Sequence, residues 1–184
     1  MSFIPRIPEE EGSVAAILGP YPDIAMPICM LTEHVMRTGD CPFTVAEREL
    51  IAAFVSGVNA CTYCAGTHEA TAEALGIDHA LFSALLDNID SADVDEKLKP
   101  VLRYVKKLTL TPTRMIQADA DAIFNAGWND RAFHFMIMIC GMFNMYNRLL
   151  EGYGIKNTYE FRQTAGQGLA ESGYMHVAGG AGVD

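Results

Sequence analysis

Cys61, Cys64 and His68 fall within one eight-residue run, Cys-Thr-Tyr-Cys-Ala-Gly-Thr-His, and Glu49 precedes Cys61 by twelve positions. Two thiols in a C-x-x-C pair can cycle between dithiol and disulfide. An imidazole and a carboxylate nearby can move the protons that such a cycle requires. No other part of the chain concentrates reactive groups so densely.

Helix arithmetic places these groups together. At 3.6 residues per turn, positions 61, 64 and 68 lie within roughly 60° of one another around a helix axis. The helix that carries them is expected to begin close to Cys61. Gly57 reads as the end of the preceding helix and Asn59 as the N-cap of the next. The positive end of the helix dipole then sits beside Cys61 and favours its thiolate. Glu49 arrives from the preceding helix across a tight corner.

Three chemistries fit the cluster. Two buried structural cysteines are one, because free Cys packs as a small hydrophobe. Ala60, Thr62, Ala65, Gly66 and Thr67 are small and Tyr63 has a polar tip, which predicts solvent access instead. A structural zinc site with Cys, Cys, His and Glu ligands is the second, although the usual second Cys or His pair is missing. A redox-active dithiol is the third.

The spacing E-x11-C-x2-C-x3-H, made by Glu49, Cys61, Cys64 and His68, resembles the alkylhydroperoxidase D (AhpD-like) family of the carboxymuconolactone decarboxylase superfamily. Leu108-Thr109 with Pro112, Ala126-Gly127-Trp128, and Asn147-Arg148 followed by Gly154 are similar to its branch of peroxidase-related enzymes. The likeness spans roughly residues 20 to 165, most of the chain. It implies that Cys64 attacks a peroxide and becomes a sulfenic acid, that Cys61 resolves it as a disulfide, and that His68 and Glu49 form a proton relay. The best-studied members carry His immediately before the second cysteine, where this chain has Tyr63. A phenol with a pKa of about 10 donates a hydrogen bond but shuttles protons poorly at neutral pH. Roles and local electrostatics differ here: the helix N-terminus favours Cys61 as the lower-pKa thiol, whereas the resemblance makes Cys64 the nucleophile.

The 184 residues suffice for one domain with a real core, and the whole chain is expected to form a single AhpD-like helical domain. Residues 1–12, with Pro5, Pro8 and three consecutive glutamates, read as an extended N-terminal arm without the layout of a signal peptide. A net charge of −10 disfavours nucleic acid and anionic membranes as partners. The longest apolar run, residues 132–146, is short of the ~20 residues that span a bilayer. Five cysteines without a spaced framework point to a reducing cytoplasm.

The elements that must position the cluster read as all-α, about seven or eight helices, with no strand alternation. Helices are expected from Pro22 to Met36, from a Thr44–Glu47 capping box onward, and from Cys61 to Leu75 with a stop at Gly76. Further helices follow from Asp78 to Leu86, from Asp93 or Asp95 to Lys107, from Gln117 to Ala126, from Asp130 to Glu151, and from Tyr159 to Leu169. The Gly-rich end, residues 177–184, reads as a tail that is disordered or packs on a neighbouring subunit. The Asp130 helix carries Met136, Met138, Met142 and Met145 and reads as a central core helix, with a pocket wall or a subunit contact as the alternative use of its surface. His134 and Arg148 share its surface and are read as a structural polar pair. Cys29 and Cys140 are expected to be inert, Cys41 exposed, and Trp128 a packing residue. Apolar faces beyond one core's needs permit a homo-oligomer, and the resemblance implies a dimer, trimer or hexamer.

Without a flavin, haem or nucleotide motif, no cofactor or metal is expected and the thiols themselves are the redox centre. The expected function is thus a thiol-dependent peroxidase in antioxidant defence, with a hydroperoxide as substrate and a small dithiol or a thioredoxin-like protein as reductant. A decarboxylase or lactone-acting enzyme of the wider superfamily is one alternative. A non-catalytic redox sensor or metal-binding helical protein is the other.

Overall fold

The computed structural model describes residues 2–7 and 12–175, and among these all regular structure is helical. In chain order the helices are α1 (Val14–Leu18), α2 (Pro22–Arg37), α3 (Val45–Val58), α4 (Thr62–Ala74), α5 (Ala80–Asp87), α6 (Leu98–Leu110), α7 (Gln117–Asn125), α8 (Asp130–Gly152) and α9 (Tyr159–Ser172). A single 3-10 turn, Pro112–Arg114, separates α6 from α7.

Local chemistry accounts for most of the boundaries. Thr44 accepts from the Glu47 backbone N–H, and Glu47 accepts from the Thr44 N–H, which completes the capping box that opens α3. The long apolar helix α8 is capped by Asn129, whose side chain accepts from Ala132 N–H, one residue before the Asp130 expected from sequence. The short α1, capped by Ser13, escaped the sequence reading because five residues carry too little periodicity. The N-terminal segment is turned rather than extended over residues 2–7, and the Phe3 N–H bonds the Tyr153 carbonyl beyond α8. Residues 1 and 8–11 of the expected arm and all of the expected Gly-rich tail lie outside the described residues.

Helix α3 is central. Every residue from Arg48 to Ser56 is buried, because α4, α5, α6 and α8 pack around it. Helix α8 runs against α3 and α6 and buries Phe135, Met136, Ile139, Cys140, Met142 and Phe143, the core role expected of it. Helix α9 lies along α4. A Cβ at Gly166 would stand 2.5 Å from Ala70 Cβ and 2.7 Å from the Thr67 carbonyl oxygen, so the absent side chain sets this approach. The small residues of α4 are therefore a packing surface for α9. The solvent access predicted from them is not found: Cys61 is 0% and Cys64 3% exposed.

The corner between α3 and α4 also departs from expectation. Helix α3 continues past Gly57 to Val58, and Asn59 is its C-cap rather than the N-cap of α4. The Ala60 N–H bonds the Gly57 carbonyl at 2.9 Å and the Cys61 N–H bonds the Ser56 carbonyl at 3.0 Å. These are the paired bonds of a Schellman ending, with Ala60 in the left-handed region at φ 55°. Glycine takes the same position after α4, at Gly76. Cys61 is thus both the residue that closes α3 and the N-cap of α4.

His134 and Arg148 do not pair. Arg148 bonds the backbone and side-chain oxygens of Asn144, while His134 meets the edge of Phe135. Fourteen residues of helix separate the two by about 21 Å, which rotational proximity alone conceals. Trp128 packs on Phe43 and donates to the Lys97 carbonyl, as a packing residue should.

Candidate active site

The N-terminus of α4 brings Cys61 and Cys64 together, and both are free thiols. Hydrogen bonding from the Cys64 thiol holds the Cys61 pKa below its ordinary value, against burial and with help from the Cys64 backbone N–H. The Glu151 carboxylate opposes this from the end of α8. Cys64 is driven the other way. Its bond to Cys61 and its burial push its pKa well above the usual thiol range, and Asn147 only partly offsets them. The pair is thus split, with Cys61 drawn toward the thiolate and Cys64 toward the neutral thiol. That is the order local electrostatics predicts.

Glu49 and His68 form a second unit. Glu49 Oε2 lies 2.7 Å from His68 Nδ1, across the α3–α4 contact. The other oxygen, Oε1, accepts from Arg37 Nη1 at 2.6 Å and from the Tyr174 hydroxyl at 2.7 Å. Glu49 is fully buried. Burial alone would raise its pKa, but the bond and charge of His68, the charge of Arg37 and the Tyr174 bond together hold it below the ordinary carboxylate value. An ionised carboxylate only accepts, so His68 Nδ1 carries a proton and donates it. Nε2 is then the nitrogen left with a lone pair, and it has no bonding partner among the described residues.

Arg37 and Tyr174 were not singled out in the sequence. They come from α2 and from the segment after α9, and the guanidinium stacks over the Tyr174 ring at 4.9 Å. Nothing local announces residues that lie 12 and 125 positions from Glu49. A signal did exist for Asn147 and Glu151, polar residues spaced i, i+4 on an otherwise apolar helix. Asn147 is buried, donates to Ser56 and accepts from Asn59, which ties α8 to the α3–α4 corner.

A cavity of about 290 Å³ joins the two units. Cys64 and His68 both line it, whereas Cys61 does not. Its walls are mostly apolar, with Phe143 and Tyr146 from α8 and Phe161 and Leu169 from α9. Cys29, expected to be inert, is also on the wall, with its pKa raised by burial. Tyr63 lines the same space, packs on Phe161, and is held neutral because burial pushes its pKa up. No set of three or more His, Cys, Asp or Glu side chains is placed to hold a metal ion among the described residues. The four donors of the zinc alternative instead separate into a thiol pair and a Glu–His pair.

Similarity to solved structures agrees with this architecture. An uncharacterized peroxidase-related protein from Silicibacter sp. TM1040 superposes with a TM-score of 0.75 at 26% identity, over 83% of this chain and 79% of that one. An alkylhydroperoxidase AhpD core, an uncharacterized peroxidase-related protein from Ralstonia eutropha JMP134, superposes with a TM-score of 0.72 at 22% identity, over 82% of this chain and 78% of that one. The fold is AhpD-like. No protein-family model and no curated protein matches the chain. No helix among the described residues is long and apolar enough to cross a membrane.

Proposed function

We propose that this AhpD-like protein is a thiol-dependent peroxidase in which Cys64 attacks a hydroperoxide and Cys61 resolves the product. The observation that carries this is the asymmetry of the pair. Cys64 opens on the cavity and faces the same space as His68, while Cys61 is behind it. Transfer of the Cys64 proton, to Cys61 or to His68 Nε2, exposes a thiolate to the cavity. That sulfur attacks the distal oxygen of ROOH, an S–O bond forms as the O–O bond breaks, Cys64 becomes a sulfenic acid, and the leaving alkoxide takes up the proton. Cys61 then displaces water from the sulfenic acid and the disulfide forms. An external dithiol, either a small molecule or a thioredoxin-like protein, supplies two electrons and restores the thiols.

Glu49 fits a role as fixed anion better than as a relay station. His68 itself, with Arg37 and Tyr174, holds it ionised, so it orients His68 and steadies the imidazolium rather than passing a proton onward. The predominantly apolar wall suits a neutral organic hydroperoxide. A carboxylate substrate lacks support, because no Arg or Lys is among the described residues that line the cavity. The protein acts in the cytoplasm on this reading, in keeping with free thiols. The exposed Ile24, Met26, Met30 and Leu31 of α2 are consistent with a homo-oligomer.

The test is oxidation by one equivalent of hydroperoxide, followed by mass spectrometry. Cys64→Ser should abolish peroxide consumption. Cys61→Ser should react once and stop with oxidised Cys64. Oxidation at Cys61 in the Cys64→Ser protein would reverse the roles, and inertness of the reduced wild-type protein would reject peroxidase activity.

A further inference from the structure

The two thiols are placed by different parts of the chain. Cys64 is on the first turn of α4, a helix seated on α9 through Gly166 against Thr67 and Ala70. Cys61 belongs to the corner before that helix, and its place follows the backbone of Ala60. Ala60 is exposed to solvent and holds the left-handed conformation at φ 55°. A residue other than glycine stays there only where its surroundings over-determine it. The bonds of the turn, from Ala60 N–H to the Gly57 carbonyl and from Cys61 N–H to the Ser56 carbonyl, both end on the last turn of α3. Asn147 of α8 fastens that turn. Its amide nitrogen donates to Ser56 Oγ at 3.0 Å, and its amide oxygen accepts from Asn59 Nδ2 at 2.8 Å. Asn147 is 2% and Ser56 0% exposed, so water does not compete for these bonds. Asn59 also donates to Asn144 Oδ1 at 3.1 Å, which adds a second tie to α8. One side chain thus grips both the residue whose carbonyl holds Cys61 and the C-cap that precedes Ala60.

We propose that Asn147 is a positioning residue of the dithiol: by fastening Ser56 and Asn59 it holds the Ala60 turn and keeps Cys61 in place to bond Cys64. The proposal rests on the dithiol reading above. In the disulfide the S–S bond itself constrains the corner. In the dithiol the corner relies on Asn147. Losing the amide therefore loosens the dithiol more than the disulfide. Closing the S–S bond then costs conformational freedom that the native corner has already given up. A side chain that only stabilises the fold would act on both redox states alike and leave their equilibrium where it was.

The redox equilibrium is therefore the measurement. The full-length protein is equilibrated with mixtures of oxidised and reduced dithiothreitol, quenched in acid, and its Cys61–Cys64 disulfide quantified by mass spectrometry. Each protein disulfide formed converts one oxidised dithiothreitol to its dithiol, so the midpoint gives the equilibrium constant. We expect Asn147→Ala to lower that constant by about tenfold, the scale of one buried hydrogen-bonded group. Closure is followed with 2,2′-dithiodipyridine. Cys64 attacks it and releases one pyridinethione, and Cys61 expels the second as the internal disulfide forms. This second step should slow by about 10- to 10²-fold, as a small misplacement of reacting atoms does. Ser56→Ala breaks the same bond with less loss of volume, and it carries the test if Asn147→Ala does not fold. It should shift both readouts in the same direction. The double variant should shift them no further than Asn147→Ala alone, because both changes act through one contact. Variants that melt lower yet keep the wild-type equilibrium would overturn the proposal, as would shifts that add in the double variant. Hydrogen peroxide provides a separate arm. If it leaves Cys64 unoxidised while the equilibrium with dithiothreitol still depends on Asn147, the peroxidase reading fails and the positioning role stands.

Discussion

Replacing Glu49 with glutamine tests how the buried carboxylate acts, because the substitution keeps shape and reverses one hydrogen bond. In the native protein Oε1 accepts from Arg37 and Tyr174, and Oε2 accepts from His68 Nδ1. Glutamine can keep its oxygen toward Arg37 and Tyr174. Its amide nitrogen then faces His68 and donates, so Nδ1 must accept and the proton moves to Nε2. The nitrogen that serves the cavity loses its lone pair. Turning the amide over restores the His68 bond but sets an N–H against the guanidinium and the phenol, which is worse. Loss of a positioned base of this kind costs about 10²–10⁴ in rate.

Stability falls as well. Arg37 is only 15% exposed and loses its counter-ion. Breaking a buried pair at one partner costs about 3–5 kcal/mol, and the retained amide oxygen places this case near the lower end. For a chain of this size that corresponds to a Tm lower by roughly 6–12 °C. The assay is stopped-flow oxidation of Cys64 by hydroperoxide at a temperature where the variant remains folded, beside a calorimetric melt. Tyr174→Phe is the control: it removes one donor, leaves the carboxylate and the His68 tautomer intact, and should cost about 1 kcal/mol of stability with little change in rate. Folded Glu49→Gln protein that oxidises at the wild-type rate would refute the argument. So would an equal loss of rate in Tyr174→Phe.

Three further outcomes are expected. Because the folded pKa of Glu49 lies below its unfolded value, its stabilisation is complete above about pH 4.3 and is lost as the pH falls through the folded pKa. Urea midpoints measured from pH 6 down to 2.5 should therefore drop more steeply for wild type than for Glu49→Gln. Ala60→Gly should relieve a left-handed backbone cost of about 1 kcal/mol and lose part of it to unfolded-state entropy, so that the Tm rises by about 1–2 °C; a lower Tm would mean that the corner is unstrained. Tyr63→His should raise peroxidase turnover near neutral pH, where imidazole titrates and a buried phenol does not, and a steady-state pH profile with a coupled reductant checks it.

The helices were legible wherever the chain carries their chemistry on its own. The Thr44–Glu47 box and the glycines at 76 and 127 mark ends that depend on adjacent residues alone. Ala60 shows the limit. It holds a glycine conformation without being glycine, so the corner that places Cys61 carries no sequence mark, and Asn59 reads as a cap of the wrong helix. The small side chains of α4 show another limit. Smallness means exposure if nothing covers it and close packing if a helix does, and only the seat of Gly166 against Thr67 and Ala70 decides between them.

The same distinction separates the two halves of the site. Cys61, Cys64, His68 and Glu49 share neighbouring helices, and spacing alone predicts that they meet. What sets their chemistry comes from elsewhere: Arg37 and Tyr174 keep Glu49 ionised, and α8 and α9 build a cavity that reaches Cys64 and stops short of Cys61. The conflict between helix electrostatics and expected roles is resolved by that wall. The thiol whose pKa is lowered lies where the cavity does not reach. The thiol that meets the cavity is neutral at rest and becomes reactive only when its proton moves. A dithiol arranged in this way withholds its nucleophile until a proton acceptor is in place, which is why the geometry around His68 matters as much as the sulfurs themselves.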